Sequence, residues 1–301
     1  MKNSVRTDLA FESKQLFDED SNRKTTLDGV VSNDYTLHGC NVNSVEITNK
    51  NGESALKKPV GKYVTVDMSH YMKKEPLAFE NTVRAIAEEL SKILCPTDSD
   101  VFLIAGLGNS AITADSVGPY VLNHTVITRH LKSNLPQYFG QFRSVSGISP
   151  GVLGTTGIES ADILQGIIRQ VSPTAVIVID ALASRSISRL CSTVQISNTG
   201  IVPGSGVGNA RDALNEDTLG VKTIAVGVPT VVSAQTLVYD LCKNADKSLP
   251  DFDKNKIDLS LVVTPKEIDS MVRDASKVIG YGINLAIHPN LSIDDINSLL
   301  S

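Results

Sequence analysis

No stretch of this 301-residue sequence approaches the ~20 consecutive apolar residues that a membrane-spanning helix requires. The N-terminal stretch MKNSVRTDLAFESKQLFDED also lacks the apolar core of a secretory signal. The expectation is therefore a soluble, intracellular chain with no membrane partner. Cysteine is scarce. Cys40, Cys95, Cys191 and Cys242 lie far apart, and without a C-x-x-C spacing neither a zinc site nor a disulfide framework is signalled. Basic charge is not in excess either, and a formal net charge of −5 argues against a nucleic acid gripped electrostatically. The G-x-S-x-G elbow of a serine hydrolase is missing, and PGSG at 203–206, the nearest approach, reads as loop.

What is present is a chain with 41% hydrophobic and 20% charged residues, able to bury a core without staples. Its first 60 residues are polar and broken, with a β-like piece at 43–49 and an alternating strand, KYVTVDM, at 62–68. The segment 80–94 places Val83, Ile86, Ala87, Leu90 and Leu94 at helical spacing. VFLIAGLG (101–108), TAVIVIDAL (174–182) and VKTIAVGVPT (221–230) are nearly continuous apolar runs, as expected of strands buried on both faces. Between them, 154–171 reads as a helix opened by a capping box from Thr156 to Glu159. A further helix is expected at 232–245 and a strand at 259–265. A last helix would open on the capping box Thr264-Pro265-Lys266-Glu267. The alternation predicts one α/β domain, a mostly parallel sheet flanked by helices on both faces, with an N-terminal extension over about residues 9–60.

In such sheets, sites form beyond the carboxyl ends of strands. Gly106-Leu107-Gly108-Asn109-Ser110-Ala111 fits a dinucleotide-binding turn, but Gly118-Pro119 delays or breaks the helix that should follow. The stretch TVITRHLKSNL (125–135) also lacks the acid that should meet a ribose. A different chemistry uses Asp115 and Asp180, each beyond or at the end of a predicted buried strand. If those strands are neighbours, one carboxyl stays protonated while the other acts as a base, an arrangement able to activate water. The ordinary reading is that loop aspartates cap turns. The same pair with a histidine could hold a divalent ion, but GVPTVVSA (227–234) supplies none and His124 and His130 read as ordinary helix residues, so no metal is expected. The glycine-rich loop 201–212 can bring backbone N–H groups close to a ligand.

Long motifs then carry a likeness. GLGNSAITADSVGP (106–119), SGISPGVLGTTGIES (146–160), VIDALASRS (178–186), ISNTGIVPGSGVGNAR (196–211), AVGVPTVV (225–232) and LVVTPKEID (261–269) occur in this order along the chain. Together with SVRTDLAFES (4–13), they resemble the spore germination protease family of endospore-forming bacteria over nearly the whole chain.

The resemblance implies an endopeptidase that degrades small acid-soluble spore proteins, with a fold similar to hydrogenase-maturation endopeptidases. It implies an atypical aspartic-type mechanism, placing the two essential aspartates on Asp115 and Asp180, and it requires no cofactor. It also implies a zymogen of the spore core, cytoplasmic and homotetrameric in relatives, that removes residues 1–8 by cutting Asp8–Leu9. Family substrates are cut after glutamate in patterns like T-E-[I/F]-A-S-E, so Asp8, Leu9, Ala10, Phe11 and Glu12 look like a substrate analogue. Asn109 and the N–H groups of Gly204, Gly206 and Gly208 are candidate substrate contacts, and Arg185 is a candidate cation for an acidic side chain before the cut. The chain departs from many relatives in having only a short connector, 244–258, where they carry a long insertion. Two other readings stand beside this one: a metal-dependent peptidase of the hydrogenase-maturation type, and a non-catalytic binding protein.

Overall fold

The computed structural model describes residues 7–21, 27–238 and 261–301. Its strands are β1 (Val30–Leu37), β2 (Cys40–Ile47), β3 (Gly61–Asp67), β4 (Val101–Leu107), β5 (Ser144–Gly151), β6 (Ala175–Ser184), β7 (Thr193–Ser197), β8 (Lys222–Ser233) and β9 (Val262–Val263). They form one mixed sheet in the order β1-β2-β3-β7-β8-β6-β4-β5, with β9 added to the end of β8. The parallel part is β5-β4-β6-β8. The three N-terminal strands are antiparallel and join it through β7, so the extension continues the same sheet.

The buried runs behave as apolar strands must. In β6, Ile177 and Ile179 face one layer, while Val176 and Val178 face the other. The first layer is built by α3 (Ala78–Leu94), α4 (Val117–Leu122) and α6 (Ile268–Ile287), the second by α5 (Ser160–Val171). A third, smaller cluster packs α1 (Ala10–Ser21) and α2 (Lys50–Leu56) against β2 and β3 through Ala10, Val45, Ile47, Leu56 and Tyr63. The chain ends in α7 (Ile293–Leu300), capped by a reciprocal Ser292–Asp295 box. Among the described residues, no helix is long and apolar enough to cross a membrane.

Two expected helix starts are corrected. The helix expected from 154 begins at Ser160, because Thr156 closes a separate turn and Gly157 takes φ +71°. The Thr156 hydroxyl lies 3.2 Å from Val152 O and accepts from Ile158 N at 3.2 Å, ahead of the helix, whose N-cap is Glu159. Likewise, α6 starts at Ile268 behind a turn in which Ile268 N donates to Pro265 O, leaving Thr264 outside the cap. Residues 231–233 extend β8 and 234–238 are helical; the rest of the helix expected to 245, the connector 244–258 and residues 259–260 lie outside the described residues.

Candidate active site

β4 and β6 are parallel neighbours, with Gly106 opposite Ile179, so the condition on the two aspartates is met. Asp180 is the next residue of β6, and Asp115 closes the loop that leaves β4. That loop is tied down at several points. Ile112 N donates to Asn109 O, Asp115 N donates to Ile112 O, and the Thr230 hydroxyl of β8 holds Ala114 O at 2.6 Å. Gly108, at φ +103°, passes so close that a Cβ there would stand 1.9 Å from Asp115 O. The glycines that mimic a phosphate cradle thus seat the aspartate loop against the strand end.

The Asp115 carboxylate accepts a hydrogen bond from Asn109 N at 2.8 Å, while the Asn109 side chain accepts from Ala111 N at 3.0 Å. Asn109 therefore orients Asp115. Burial raises the Asp115 pKa above its ordinary value, against the opposing pull of the Asn109 N–H. Asp180 is buried, and its Oδ1 accepts from Ala181 N at 2.9 Å. Burial pushes the Asp180 carboxyl well above the usual carboxylate range, and the charges of Asp115 and Asp8 push it further. A carboxyl in that position holds its proton beside a partner able to ionise, which is the electrostatic requirement for paired acid and base.

Across the end of β6 lies the segment Thr7–Glu12. Asp8 N donates to Ala183 O at 2.9 Å, and Asp8 Oδ2 accepts from Ala183 N at 2.8 Å. Asp8 Oδ1 accepts from the Ser205 hydroxyl at 2.9 Å. Gly206 makes the fit possible, since a Cβ there would lie 2.0 Å from Asp8 Oδ2. Gln195 of β7 brackets the next bond, its Nε2 donating to Asp8 O at 3.1 Å and its Oε1 accepting from Ala10 N at 2.8 Å. Leu9 and Ala10 are fully buried. A cleft of about 780 Å3 opens alongside, lined by Asp8, Lys58, Leu182, Gln195, Ser205 and Gly206 among others.

Four residues beyond Asp8, the Glu12 carboxylate is buried and accepts from Arg185 N at 2.6 Å and Ser186 N at 3.1 Å, with Arg189 at 3.4 Å. Its pKa is raised, because burial outweighs these favourable contacts. Half-buried Lys58 feels the charges of both Asp8 and Glu12, although burial, the larger effect, lowers its pKa.

Of the residues singled out from sequence, the structure brings Asp115, Asn109 and Asp180 to the strand ends and Asp8 and Gly206 to the cleft, and it buries Leu9 fully. Gly204 and Gly208 flank Gly206 in the left-handed region, at φ +72° and +78°, and shape the turn. Arg185 is placed differently. Its guanidinium pairs with Glu19 at 3.0 Å and its backbone serves Glu12, while the Asp8 carboxylate takes Ala183 N and Ser205. Sequence reading missed Gln195, Ser205, Lys58 and Arg189. A glutamine inside the short buried strand TVQIS was the available signal. Among the described residues, no three His, Cys, Asp or Glu side chains converge as a metal site.

The segment Thr7–Leu9, held against the strand end just ahead of α1 and beside two carboxyls whose pKa values burial raises, makes this an α/β protein that presents a chain to acid–base groups. The sequence model of the germination protease family matches residues 7–255, and the chain belongs to that family of proteases. Germination proteases of Clostridium perfringens (strain 13) and Caldanaerobacter subterraneus are 39% and 41% identical, over 99% and 98% of this chain and the same shares of their own. That of Bacillus pumilus is 35% identical over 358 aligned positions, covering 98% of this chain and 96% of its own. These alignments exceed 301 positions, so the relatives carry residues that this chain lacks. A [NiFe] hydrogenase maturation protease, HycI from Thermococcus kodakarensis, aligns at TM-score 0.36 and 15% identity, over 65% of this chain and 98% of its own.

Proposed function

We propose that this chain is a self-processing endopeptidase of spore germination that cleaves small acid-soluble spore proteins after an acidic residue. Asp115 and Asp180 share a proton. The ionised member takes a proton from water, whose oxygen adds to the peptide carbonyl carbon. The protonated member then delivers its proton to the leaving nitrogen as the C–N bond breaks. The cycle consumes one water and needs no cofactor. The working form is a homo-oligomer of the spore core.

The observation that carries this reading is the seating of Asp8: its carboxylate is fixed by Ala183 N and Ser205 at a point where its charge bears on Asp180. Thr7-Asp8-Leu9-Ala10-Phe11-Glu12 is then a bound internal substrate, its acidic side chains held by separate groups on either side of two buried apolar residues. Ser205 and Lys58, rather than Arg185, form the subsite for the acid before the cut. The Arg185 and Ser186 N–H groups with Arg189 receive the acid four residues later.

The test is incubation of the purified protein with a small acid-soluble spore protein and mapping of the cut bonds, alongside Asp180→Asn and with a chelator present. Cuts after acidic residues, absent in Asp180→Asn and indifferent to chelator, are expected. Cuts after other residues overturn the specificity. Metal-reversible loss overturns the mechanism, and binding without any cleavage by the wild type makes the chain a binder.

A further inference from the structure

Gln195 touches both sides of the Asp8–Leu9 bond, and its two polar atoms are assigned by chemistry alone. Ala10 N is a donor and must meet the amide oxygen, whereas Asp8 O is an acceptor and must meet the amide nitrogen. The side chain thus grips the peptide unit that would be cut and the N–H of the residue after next. It is itself buried in a strand whose backbone is fixed by Val66, Thr65 and Val64 on one side and by Gly227 and Val226 on the other.

Its place relative to the aspartates follows from strand register. Gln195 lies opposite Gly227 of β8, and Gly227 lies opposite Asp180 of β6, so the three form one row across the sheet. Paired residues present their side chains on the same face. Gln195 and Asp180 are therefore separated by two strand spacings, about 10 Å, and the Leu182 side chain lies over the glycine between them, where a Cβ would stand 2.4 Å from Leu182 Cδ1. The Asp8 carbonyl, met by the Gln195 amide N–H, therefore lies at the β7 end of a row whose β6 end is Asp180.

We propose that Gln195 is a catalytic residue of the peptidase, supplying the hydrogen bond that meets the negative charge developing on the carbonyl oxygen of the residue before the cut. This rests on the reading that Asp8–Leu9 is a substrate bond. As the water oxygen bonds to the Asp8 carbonyl carbon, the C=O π pair moves onto oxygen, and the Gln195 Nε2–H, 3.1 Å away in the ground state, faces the growing charge. The pair returns when the C–N bond breaks and the Leu9 nitrogen takes the proton held by the aspartates. Gln195 Oε1, by accepting from Ala10 N, keeps the peptide from rotating during this exchange.

Because the full chain carries its own bound segment, its first-order rate of self-processing, read by mass spectrometry as loss of residues 1–8, isolates the chemical step from binding. Two variants separate donor from anchor. Gln195→Glu keeps an acceptor for Ala10 N but removes the amide donor; Gln195→Met removes both. With wild type processing and Asp180→Asn inert, both variants are expected to slow at least 100-fold, the effect of deleting one oxyanion donor. A peptide supplied in trans to processed enzyme should show the Gln195→Glu loss mainly in kcat. Gln195→Glu processing within threefold of wild type while Gln195→Met fails would make Gln195 an anchor only and overturn the proposal, as would both variants processing normally. Failure of the wild type to cut Asp8–Leu9 at all would instead overturn the underlying reading. Gln195→Asn, one methylene shorter, guards against misfolding as the cause: partial recovery over Gln195→Met is expected, and none at equal melting temperature counts against a donor role.

Discussion

Asp8 and Ala183 hold each other through two hydrogen bonds, Asp8 N to Ala183 O at 2.9 Å and Ala183 N to Asp8 Oδ2 at 2.8 Å. One is a strand-like backbone contact, which any residue could make. The other reads a side-chain oxygen of Asp8, whose second oxygen accepts from the Ser205 hydroxyl. The end of β6 thus combines generic backbone docking with selection of one side chain.

The space for that carboxylate is set by Gly206, where a Cβ would lie 2.0 Å from Asp8 Oδ2 and 2.6 Å from the Ala183 Cβ. Gly206→Ala should displace Asp8 and stop self-processing while the fold persists. Intact-mass analysis over time, with circular dichroism as the control for folding, checks this. Normal processing would show that Asp8 need not occupy the notch.

Ser205 is exposed and contributes one hydrogen bond to a charged group. Its loss in Ser205→Ala should cost about 1.4 kcal/mol, roughly tenfold in processing rate. The effect should vanish when Asp8 is replaced by Ala, a comparison made by a double-mutant cycle of processing rates.

Asp180 in the folded chain holds its proton to a higher pH than the ordinary 3.8 of the unfolded chain. Between those two pKa values the folded state binds more protons than the unfolded one, so stability declines as pH rises through the window. Asp180→Asn removes the buried ionisation. Its Tm should exceed that of wild type at neutral pH, and the gap should close as pH falls below 3.8, where the wild-type carboxyl is protonated in both states. Thermal melts of both proteins across this range decide the matter.

His288 behaves oppositely. It is buried, its Nε2 has no hydrogen-bond partner, and burial, followed by the charges of Arg143 and Lys132, lowers its pKa from 6.5 to about 4. Between those values the unfolded chain takes a proton that the folded chain refuses, so stability is lost as pH falls, by up to about 3 kcal/mol. His288→Gln should flatten the acid side of the Tm profile, as read by calorimetry between pH 7 and 4.

The parts of this architecture legible in the sequence are those with one dominant physical cause. β4, β6 and β8 are buried on both faces and so read as unbroken apolar runs. α3 carries its apolar residues at helical spacing because one side faces the sheet. β5, SVSGISPG, escaped notice because it is covered mainly on alternate positions and is written in serine, glycine and proline. β7 is only five residues long. Asp115 and Asp180 could be found as carboxylates at strand ends, but their adjacency depended on strand order. The Asp8 notch could not be found, since it joins residues 175 and 197 positions apart through a glycine whose merit is the atom it lacks. Arg185 shows the converse: a cation near a site in sequence turns to Glu19 once α1 packs beside it.

The account stands on Asp115 and Asp180 cutting the bond that the Asp8 notch presents, and the most direct measurement is the N-terminal mass of three purified full-length chains. The wild type should convert to a chain beginning at Leu9, whereas Asp115→Asn and Asp180→Asn, folded and equally incubated, should keep residues 1–8. A Leu9 N-terminus arising at the wild-type rate in either variant would contradict it.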